Sequence, residues 1–490
     1  MPVLDAQVDP IFEQRVAKLQ RLRQEGIEPY PYSYDRTHLA SDILSDFDNL
    51  EGKEVCIAGR LITARLMGKA SFAHLLDQSG KIQIYVRKDV VGEKQYALFK
   101  SLDPGDFLGV EGTPFRTKTG EITVQARQIT LLSKALRGLP EKWHGLTDVE
   151  KRYRQRYLDL ISNEEVRKVF QTRSRIIDAI RRYLVERGFL EVETPILQPI
   201  HGGAAAKPFI TYHNALDREL YLRIALELYL KRCVVGGIEK VFEIGRNFRN
   251  EGISTKHNPE FTMMELYQAY TDYNGIMSLV EDMVSTVTEQ VLGSTKFEYA
   301  GHTIDVRPPW PRVRMRDAIL IESGIDYADY PTAESLCQAM RERGIAADPK
   351  DTRAKLIDNL LSEFVEPKLI QPSFLIDYPV EMSPLAKRKR DDPTEVERFE
   401  GYIGGMEVAN AFSELNDPLD QRERFLQQLE ERAAGDEEAQ PMDEDFLLAL
   451  EHGMPPTGGL GVGIDRLVML LTGNTSIREV ILFPQLRTKD

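Results

Sequence analysis

The sequence is poor in cysteine and tryptophan, and it contains no long apolar run. Its 490 residues include three cysteines and two tryptophans. Cys56, Cys233 and Cys337 are odd in number, widely spaced and in no C-x-x-C pair, which argues against a disulfide framework and a zinc site, so we expect buried packing residues. A membrane-spanning helix needs roughly 18 uncharged apolar residues, and the late apolar run is interrupted by Asp465 and Arg466. Membrane insertion is therefore excluded.

A secretory signal is also missing from the sequence. The chain starts MPVLDAQVDP, without a basic segment followed by an apolar stretch. We therefore expect a cytoplasmic protein without a membrane partner.

Positive charge is scarce overall but concentrated in one segment. The formal net charge is −14, whereas residues 53–142 carry 15 Lys and Arg against nine Asp and Glu, a surplus of six that leaves −20 for the rest of the chain. Nucleic-acid affinity depends on cations placed against phosphates. The asymmetry suggests a nucleic-acid-binding module on an acidic body, although a merely solvated basic domain explains the charges equally well.

Hydrophobic patterns predict an N-terminal helix followed by a small barrel. Apolar residues recur at helical spacing from residue 10 to about 27, and five short alternating runs separated by Gly, Pro and Asp turns follow between residues 54 and 132. Five such strands fit an OB-fold barrel. The predicted organisation is an N-terminal helical extension at 1–50, an OB-fold domain at 51–135, a linker at 136–150 and a second domain at 151–490.

The second domain is predicted to be an antiparallel sheet flanked by helices. An Arg-rich helix at 164–187 precedes the strand-like FLEVETPIL and a Gly- and Ala-rich loop at 202–206. The later runs mix helices with long strands in no regular βαβ order. The whole chain is therefore assigned to the α+β class.

The most informative segment runs from Phe242 to Tyr267 and is predicted to form a strand, a charged loop and a returning strand. Its polar and aromatic side chains suit a phosphate, an aromatic base and a ligand with an amino group. These side chains are Arg246, Arg249, Glu251, His257, Phe261 and Glu265. The alternative is an exposed hairpin whose Arg and Glu residues pair without any function.

This segment, FEIGRNFRNEGISTKHNPEFTMMELY, resembles motif 2 of class II aminoacyl-tRNA synthetases, most closely that of the bacterial lysyl-tRNA synthetases. GFLEVETP at Gly188–Pro195 resembles motif 1, and GLGVGIDRL at 459–467 resembles motif 3. The resemblance covers nearly the whole chain. It implies a lysine–tRNA ligase that activates L-lysine with ATP to lysyl-adenylate and pyrophosphate, and then transfers lysine to the 3′ end of tRNA(Lys). It also implies a homodimer formed around Pro195, and no DNA partner.

The resemblance implies a catalytic pair of arginines. Arg249 is expected to hold the α-phosphate and the amino-acid carboxylate, and Arg466 is expected to hold the γ-phosphate and cover one face of adenine. The other ATP-binding positions are Glu251 at the adenine amino group, His257 and Asn258 beside the triphosphate, and Phe261 against the base. Spreading positive charge over the triphosphate is what this chemistry requires, because pyrophosphate must leave.

Glu400 and Glu407 match the magnesium positions of the family. Mg²⁺ binds through one or two carboxylates together with phosphate oxygens and water. Without the resemblance, two solvated carboxylates on strands would be the more common explanation.

The resemblance also implies an amino-acid pocket. Its candidate residues are Glu227, Glu265, Tyr267, Asn410, Phe412 and Glu414. A side-chain ammonium needs acceptors and negative charge, whereas an aspartate substrate would need Arg or Lys, so the acidic set predicts lysine. Glu414 is expected to meet the ε-ammonium, and Glu227 and Glu265 the α-ammonium. Leu226 and Ala411 depart from the usual A-P-E and N-G-F patterns.

In the barrel, Phe72, Gln83 and the nearby Arg65 match positions that read the anticodon in the family. Unpaired bases are recognised on OB-folds by aromatic stacking and amide hydrogen bonds. Near Gln128 many relatives are expected to carry a glutamate that helps to read the middle base, so this position is a departure.

Three rival functions remain open. The first is a synthetase for aspartate or asparagine, which would need a basic or neutral pocket at Glu414. The second is a lysine ligase acting on a translation factor, which would lack the barrel. The third is a non-catalytic nucleic-acid-binding protein on a synthetase scaffold, which would have lost residues such as Arg249 or Arg466.

Overall fold

The structure is a computed structural model, and it describes residues 9–140, 146–433 and 439–487. The chain divides into two compact units, Met1–Thr147 and Asp148–Asp490. The division falls within the segment 136–150 that the sequence suggests as a linker, of which residues 141–145 lie outside the described part.

The first unit contains a closed five-stranded barrel in the order β1-β2-β3-β5-β4. The β3–β5 pair is parallel and the other pairs are antiparallel. Its strands are β1 (Val55–Met67), β2 (Ala70–Leu76), β3 (Lys81–Arg87), β4 (Phe107–Arg116) and β5 (Ile122–Ser133). Its helices are α1 (Pro10–Gln24), α2 (Ala40–Ser45), α3 (Phe47–Leu50) and α4 (Lys88–Ser101), the last interrupted at Gly92. The predicted N-terminal helix and barrel strands are confirmed.

Helix α1 is held against the barrel by buried apolar side chains and by hydrogen bonds of Arg15. Asp9 caps the helix, because its Oδ1 accepts a hydrogen bond of 3.0 Å from the backbone N–H of Ile11. Leu19 and Leu22 are buried, and the buried guanidinium of Arg15 donates to backbone carbonyls at the end of the barrel. The helix is therefore part of the first unit.

The second unit is built on an eight-stranded sheet in the order β14-β15-β16-β17-β18-β11-β10-β6, which is antiparallel except for its outermost pair on each side. Two smaller sheets have the orders β12-β13 and β7-β9-β8. The strands are β6 (Leu190–Glu191), β7 (Leu197–Gln198), β8 (Ile210–His213), β9 (Arg218–Leu222), β10 (Lys240–Phe248), β11 (Glu260–Ala269), β12 (Lys296–Tyr299), β13 (His302–Asp305), β14 (Arg312–Arg314), β15 (Ser373–Pro379), β16 (Glu395–Ile403), β17 (Met406–Ser413) and β18 (Thr457–Gly463).

Helices flank this sheet, as the sequence predicts. They are α5 (Val149–Arg154), α6 (Arg156–Ser162), α7 (Glu164–Glu186), α8 (Glu227–Val235), α9 (Tyr273–Leu292), α10 (Met315–Ser323), α11 (Ala333–Glu342), α12 (Arg353–Leu360), α13 (Pro418–Ala433), α14 (Glu444–Glu451), α15 (Ile464–Leu471) and α16 (Ile477–Val480). The α+β assignment, with a barrel followed by an antiparallel sheet and helices, is confirmed.

Successive side chains of the central strands point alternately into the hydrophobic core and toward the opposite face of the sheet. Met264 and Leu266 of β11 and Leu460 and Val462 of β18 are buried in one hydrophobic core with α7, α9 and α15. Because successive side chains of a strand point to opposite faces, the residues between them lie on the other face of the sheet. That face carries the site described below.

Two expectations from the sequence are wrong in detail. The strand expected through FLEVETPIL is reduced to the two-residue strands β6 and β7. Cys337 is buried as predicted, whereas Cys56 and Cys233 are only half-buried, and all three are free thiols.

In the described part of the chain, no helix is long and apolar enough to cross a membrane.

Candidate functional site

A cavity of about 560 Å³ lies over the face of the large sheet that is not packed against the core. Its floor consists of alternate residues from four neighbouring strands, including Glu265 of β11, Glu400 of β16, Asn410 of β17 and Gly461 of β18. The antiparallel register therefore gathers residues that are far apart in the sequence.

Glycine is required where β18 passes under the cavity. A Cβ atom on Gly459 would overlap the Oε1 of Glu414 and lie 2.6 Å from Cε1 of Tyr267. Strand β18 is held on both sides by β11 and β17, so its backbone cannot move away. The glycine-rich sequence of this strand thus leaves room for the polar groups of the pocket.

Two guanidinium groups face one end of the cavity. Arg249 follows β10, and its Nε donates to the carbonyl of Ile224 over 3.4 Å. Arg466 lies in the first turn of α15 and donates to Oε2 of Glu407 over 3.0 Å. Burial lowers the pKa of Arg249. Two cations in one partly dry cavity can bind a polyphosphate.

Phe261 lies beside Arg249 in the cavity. The guanidinium of Arg249 lies 5.0 Å from the centre of the Phe261 ring. The resemblance implies Arg466 on the far side of an adenine stacked on this ring. In this structure Arg466 is instead engaged with Glu407.

The loop between β10 and β11 carries the other expected ATP contacts. Glu251 and His257 are exposed, whereas Asn258 is buried and its Nδ2 donates to the carbonyl of Glu260 over 2.6 Å. Nε2 of His257 lies 3.5 Å from Nη2 of Arg466. Partial desolvation of the ring by the surrounding protein, and then the charge of Arg466, lowers the pKa of His257, which favours a neutral imidazole.

Glu400 and Glu407 lie close together on adjacent strands and line the same cavity. Glu400 accepts hydrogen bonds from Nη2 of Arg398 over 2.7 Å and from the hydroxyl of Tyr402 over 2.6 Å. Burial, and then the charge of Glu407, raises the pKa of Glu400. A divalent cation would relieve this repulsion. Among the described residues no cluster of three or more His, Cys, Asp or Glu could hold a metal, so such a cation would depend on ligand oxygens.

The other end of the cavity is lined by buried acidic groups. Oε1 of Glu265 accepts from the backbone N–H of Leu226 over 3.0 Å, and its Oε2 accepts from the hydroxyl of Tyr267 over 3.3 Å. Burial, and then the charge of Glu227, raises the pKa of Glu265 to about 7. A proline at position 226 could not donate this hydrogen bond, which gives the departure at Leu226 a structural consequence. The other departure, Ala411, is buried in the core of the sheet.

Glu414 is the most deeply buried of these carboxylates, with 1% exposure. Burial raises its pKa well above the usual value. Within residues 9–140, 146–433 and 439–487, neither of its oxygens receives a hydrogen bond of good geometry. A buried carboxylate in this state provides acceptors for a ligand ammonium.

Lys231 is a pocket residue that the sequence analysis missed. It lies one turn after Glu227 on α8, and its Nζ is 2.6 Å from Oε1 of Glu227 and in close contact with Glu414. The ring of Phe412 lies 5.6 Å from the same Nζ. The i,i+4 spacing of Glu227 and Lys231 is the signal in the sequence, although such pairs are usually exposed.

Arg398 is a second residue that was missed. Its Nε donates to Oδ1 of Asn410 over 3.1 Å, and its Nη1 donates to the carbonyl of Met382 over 2.8 Å. The signal is its position two residues before Glu400, on the same face of β16. Arg398 therefore connects the acidic end of the cavity with the Glu400 and Glu407 pair.

The barrel presents the expected base-reading residues on one outer face. Arg65, Phe72 and Tyr85 are direct partners across β1, β2 and β3, and the rings of Phe72 and Tyr85 stack at 4.5 Å. The neighbouring row contains His74 and Gln83. A half-buried aromatic pair bordered by polar side chains suits unpaired bases.

Glu121, rather than a residue near Gln128, is the acidic neighbour of Gln83. Oε2 of Glu121 accepts from Nε2 of Gln83 over 2.8 Å, and its Oε1 lies 3.1 Å from Nε2 of His74. Gln128 is exposed and faces Glu111 across the β4–β5 pair. The departure expected at Gln128 stays a prediction, and Glu121, which immediately precedes β5, is an acidic neighbour of Gln83 that the sequence did not indicate.

Comparison with known proteins agrees with this arrangement. The family described as tRNA synthetases class II (D, K and N) matches residues 148–487, and the OB-fold nucleic acid binding domain matches residues 55–132. A lysine–tRNA ligase of Pelotomaculum thermopropionicum is 59% identical over 99% of this chain and 96% of its own length. That of Moorella thermoacetica is 59% identical over 99% of both chains. These findings confirm the resemblance given by the three motifs. The chain belongs to the class II tRNA synthetases of the D, K and N group.

Proposed function

We propose that the protein activates L-lysine with ATP to lysyl-adenylate and pyrophosphate, and transfers lysine to the 3′ end of tRNA(Lys). The observation that carries this proposal is the pocket of Glu227, Glu265 and Glu414 in the same cavity as Arg249 and Arg466. Negative charge at one end suits the two ammonium groups of lysine, and positive charge at the other suits the phosphates of ATP. The relatives at 55–59% identity are lysine–tRNA ligases.

The first step is an attack by the carboxylate of lysine on the α-phosphorus of ATP. A new P–O bond forms while the bond to pyrophosphate breaks. The nucleophile is already an anion, so no protein base is needed, and catalysis comes from positioning and charge neutralisation. Arg249 would hold the lysine carboxylate and the α-phosphate, and Arg466 would hold the terminal phosphate.

Adenine and magnesium would occupy the remaining cavity residues. Phe261 would stack on adenine, Glu251 would accept from its amino group, and His257 and Asn258 would lie beside the triphosphate. Glu400 and Glu407 would hold Mg²⁺, which when bound withdraws charge from the phosphate oxygens. The repulsion between these two carboxylates supports the assignment.

Lysine would be held along its length. Glu414 would accept from the ε-ammonium, and Glu227 and Glu265 would accept from the α-ammonium. Tyr267, Asn410 and Phe412 would line the side chain between these two ends. The buried, under-satisfied carboxylate of Glu414 supports this orientation, because an ammonium supplies three donors and a positive charge.

The second step transfers lysine to the tRNA. The terminal ribose hydroxyl would attack the lysyl carbonyl, AMP would leave, and a phosphate oxygen of the adenylate would accept the hydroxyl proton. Phe72 and Gln83, with Arg65 beside them, would read the anticodon on the barrel. We add Tyr85, which stacks on Phe72, and Glu121, which orients Gln83.

We also propose a homodimer. Leu190 and Leu197, in and next to the motif 1 segment, and Ile210 of β8 are exposed by 52%, 47% and 61%. Apolar side chains concentrated on the three-stranded sheet and on the edge strand β6 suit a second copy of the chain. Ile210→Glu should shift sedimentation toward the monomer, and Ile321→Glu, on an equally apolar exposed position of α10, should not. A wild-type monomer at all concentrations would refute the dimer.

The test of the proposed function is amino-acid-dependent ATP–pyrophosphate exchange with Mg²⁺, each standard amino acid being tried separately. Exchange with lysine alone supports the proposal. Exchange with aspartate or asparagine would mean that Lys231, rather than the carboxylates, faces the substrate side chain. No exchange with any amino acid would favour the non-catalytic alternative.

A further inference from the structure

The pocket contains a cation of its own at the position where a ligand ammonium is expected to bind. The side chain of Lys231 is completely buried, and its Nζ lies between the carboxylates of Glu227 and Glu414. The rings of Phe412 and Phe446 lie 5.6 Å and 5.9 Å from the same nitrogen. Two carboxylates and two aromatic faces thus surround one ammonium group.

The charges around Lys231 come from every element packed against α8. On its own helix are Glu227, Tyr229 and Arg232. Glu414 after β17 contacts Lys231 directly, and Glu265 and Tyr267 of β11, Arg398 of β16 and Arg249 after β10 interact with the carboxylates of this cluster. The other charged groups on the elements packed against α8 are Glu243 of β10 with its partner Arg223, and Asp443 and Asp445 at the start of α14. Arg223 and Arg232 are themselves paired with Glu243, Asp443 and Asp445, and Arg398 is paired with Glu400.

Apart from Arg249, the charged groups that remain without another partner in this count are the side chain of Lys231 and three buried carboxylates. If all four groups are ionised, Glu227, Glu265 and Glu414 exceed Lys231 by two negative charges. Free lysine carries two ammonium groups and one carboxylate, and Arg249 is available for the carboxylate. Lys231 therefore reduces the excess negative charge to the number of ammonium groups that lysine brings.

We propose that Lys231 is a positioning and specificity-determining residue, the resident counter-ion that favours ionised Glu227 and Glu414 before lysine binds. This inference rests on the proposed function. Lysine then shares Glu414 with Lys231 and completes the neutralisation. An amino acid with an uncharged side chain would leave one buried carboxylate uncompensated, and that group would have to be protonated.

The pKa directions agree with this geometry. Although burial lowers the pKa of Lys231, the carboxylates of Glu227 and Glu414 raise it above its usual value, so the side chain stays an ammonium. Burial raises the pKa of Glu414, and Lys231 opposes that rise while Glu227 adds to it. Removing Lys231 must therefore favour the protonated carboxyl, and removing Glu227 must favour the ionised one.

Proton release on lysine binding tests the proposal. It is measured by titration calorimetry of lysine alone in buffers of different ionisation enthalpy near neutral pH. Lys231→Met should release no more protons per bound lysine than the wild type, because the two ligand ammonium groups neutralise only two of the three carboxylates and the third stays protonated. Glu227→Gln should release fewer. The exposed Lys168→Met serves as the matched control and should equal the wild type.

A second readout separates this role from a structural one. In pyrophosphate exchange, the acidic limb of kcat/KM for lysine should move to higher pH in Lys231→Met and to lower pH in Glu227→Gln, with little change in the KM for ATP. A pH-independent loss would mean that Lys231 only supports packing.

The outcomes are distinct from a failure of the proposed function. An acidic limb of kcat/KM that stays in place or moves to lower pH in Lys231→Met overturns the counter-ion role, and if that variant does not fold, an unchanged or larger proton release in Glu227→Gln does the same. Absence of lysine binding by the wild type would instead overturn the proposed function, and this inference with it.

Discussion

Replacing Glu414 with glutamine changes one buried charge at the end of the proposed lysine pocket. Glu414 is 1% exposed and contacts Lys231, and a glutamine of nearly the same shape keeps one acceptor but loses the negative charge. A hydrogen bond to a charged group contributes about 1.5–3 kcal/mol. Since about 1.4 kcal/mol corresponds to a factor of ten, the KM for lysine should rise roughly 10- to 150-fold.

The assay is pyrophosphate exchange with lysine and ATP varied separately. The KM for ATP should change by less than about threefold, because Arg249 and Arg466 are intact. Glu281→Gln is a matched control, since Glu281 is also buried in this unit but accepts from Arg312 and from the backbone of Trp310. The Glu281→Gln variant should lose stability without changing the KM for lysine relative to the KM for ATP. Equal increases in both KM values for Glu414→Gln would refute the placement of the ammonium.

Three further predictions follow from the same geometry. Phe72→Ala should reduce charging of tRNA about 10-fold or more while pyrophosphate exchange stays near the wild-type rate, since base stacking contributes about 1–3 kcal/mol. The control is Phe107→Ala, whose ring lies under Arg60 elsewhere on the barrel. Parallel losses of charging and exchange in Phe72→Ala would contradict the role of Phe72 in base reading. Gly459→Ala should abolish lysine-dependent exchange while thermal unfolding remains cooperative, because the added methyl group overlaps Glu414; retained wild-type KM for lysine would contradict the close approach. Lysine affinity should fall as the pH decreases from about 8 to about 6, because the pKa of Glu265 is raised to about 7 and its protonated form becomes common below that pH. In calorimetry, Glu265→Gln should show a flatter dependence of lysine affinity on pH. An equally steep dependence in the variant would assign the titration to another group.

Much of the fold could be predicted because its signals are local. The alternating barrel strands and the helix at 164–187 each carry their pattern within a single element. The hairpin of β10 and β11 was predictable for the same reason. The strand expected through FLEVETPIL was too long, since pairing along a sheet edge depends on the neighbouring strand, and β10 offers only Val241 and Phe242 to it.

The site residues that were not predicted have sequence patterns that are also common outside binding sites, and only the tertiary packing shows that these residues belong to the site. Glu227 and Lys231 form an ordinary i,i+4 pair in the sequence, and only the packing of α8 against β11 and α14 shows that the pair is buried. Glu121 belongs to a turn in the sequence, and the β3–β5 pairing brings it to Gln83. Local pattern therefore located the motifs but could not assign their partners.

The pairing of β11 with β18 has a consequence for how the protein is made. Met263 pairs with Gly463, so the central part of the large sheet joins segments from the middle and from nearly the end of the chain. During synthesis the barrel, whose strands lie between residues 55 and 133, can fold as soon as it leaves the ribosome, since domains fold as units as they emerge. The cavity gains its floor only when translation is almost complete. An unfinished chain therefore exposes the edges of β11 and β17, and open strand edges of this kind can pair with other chains.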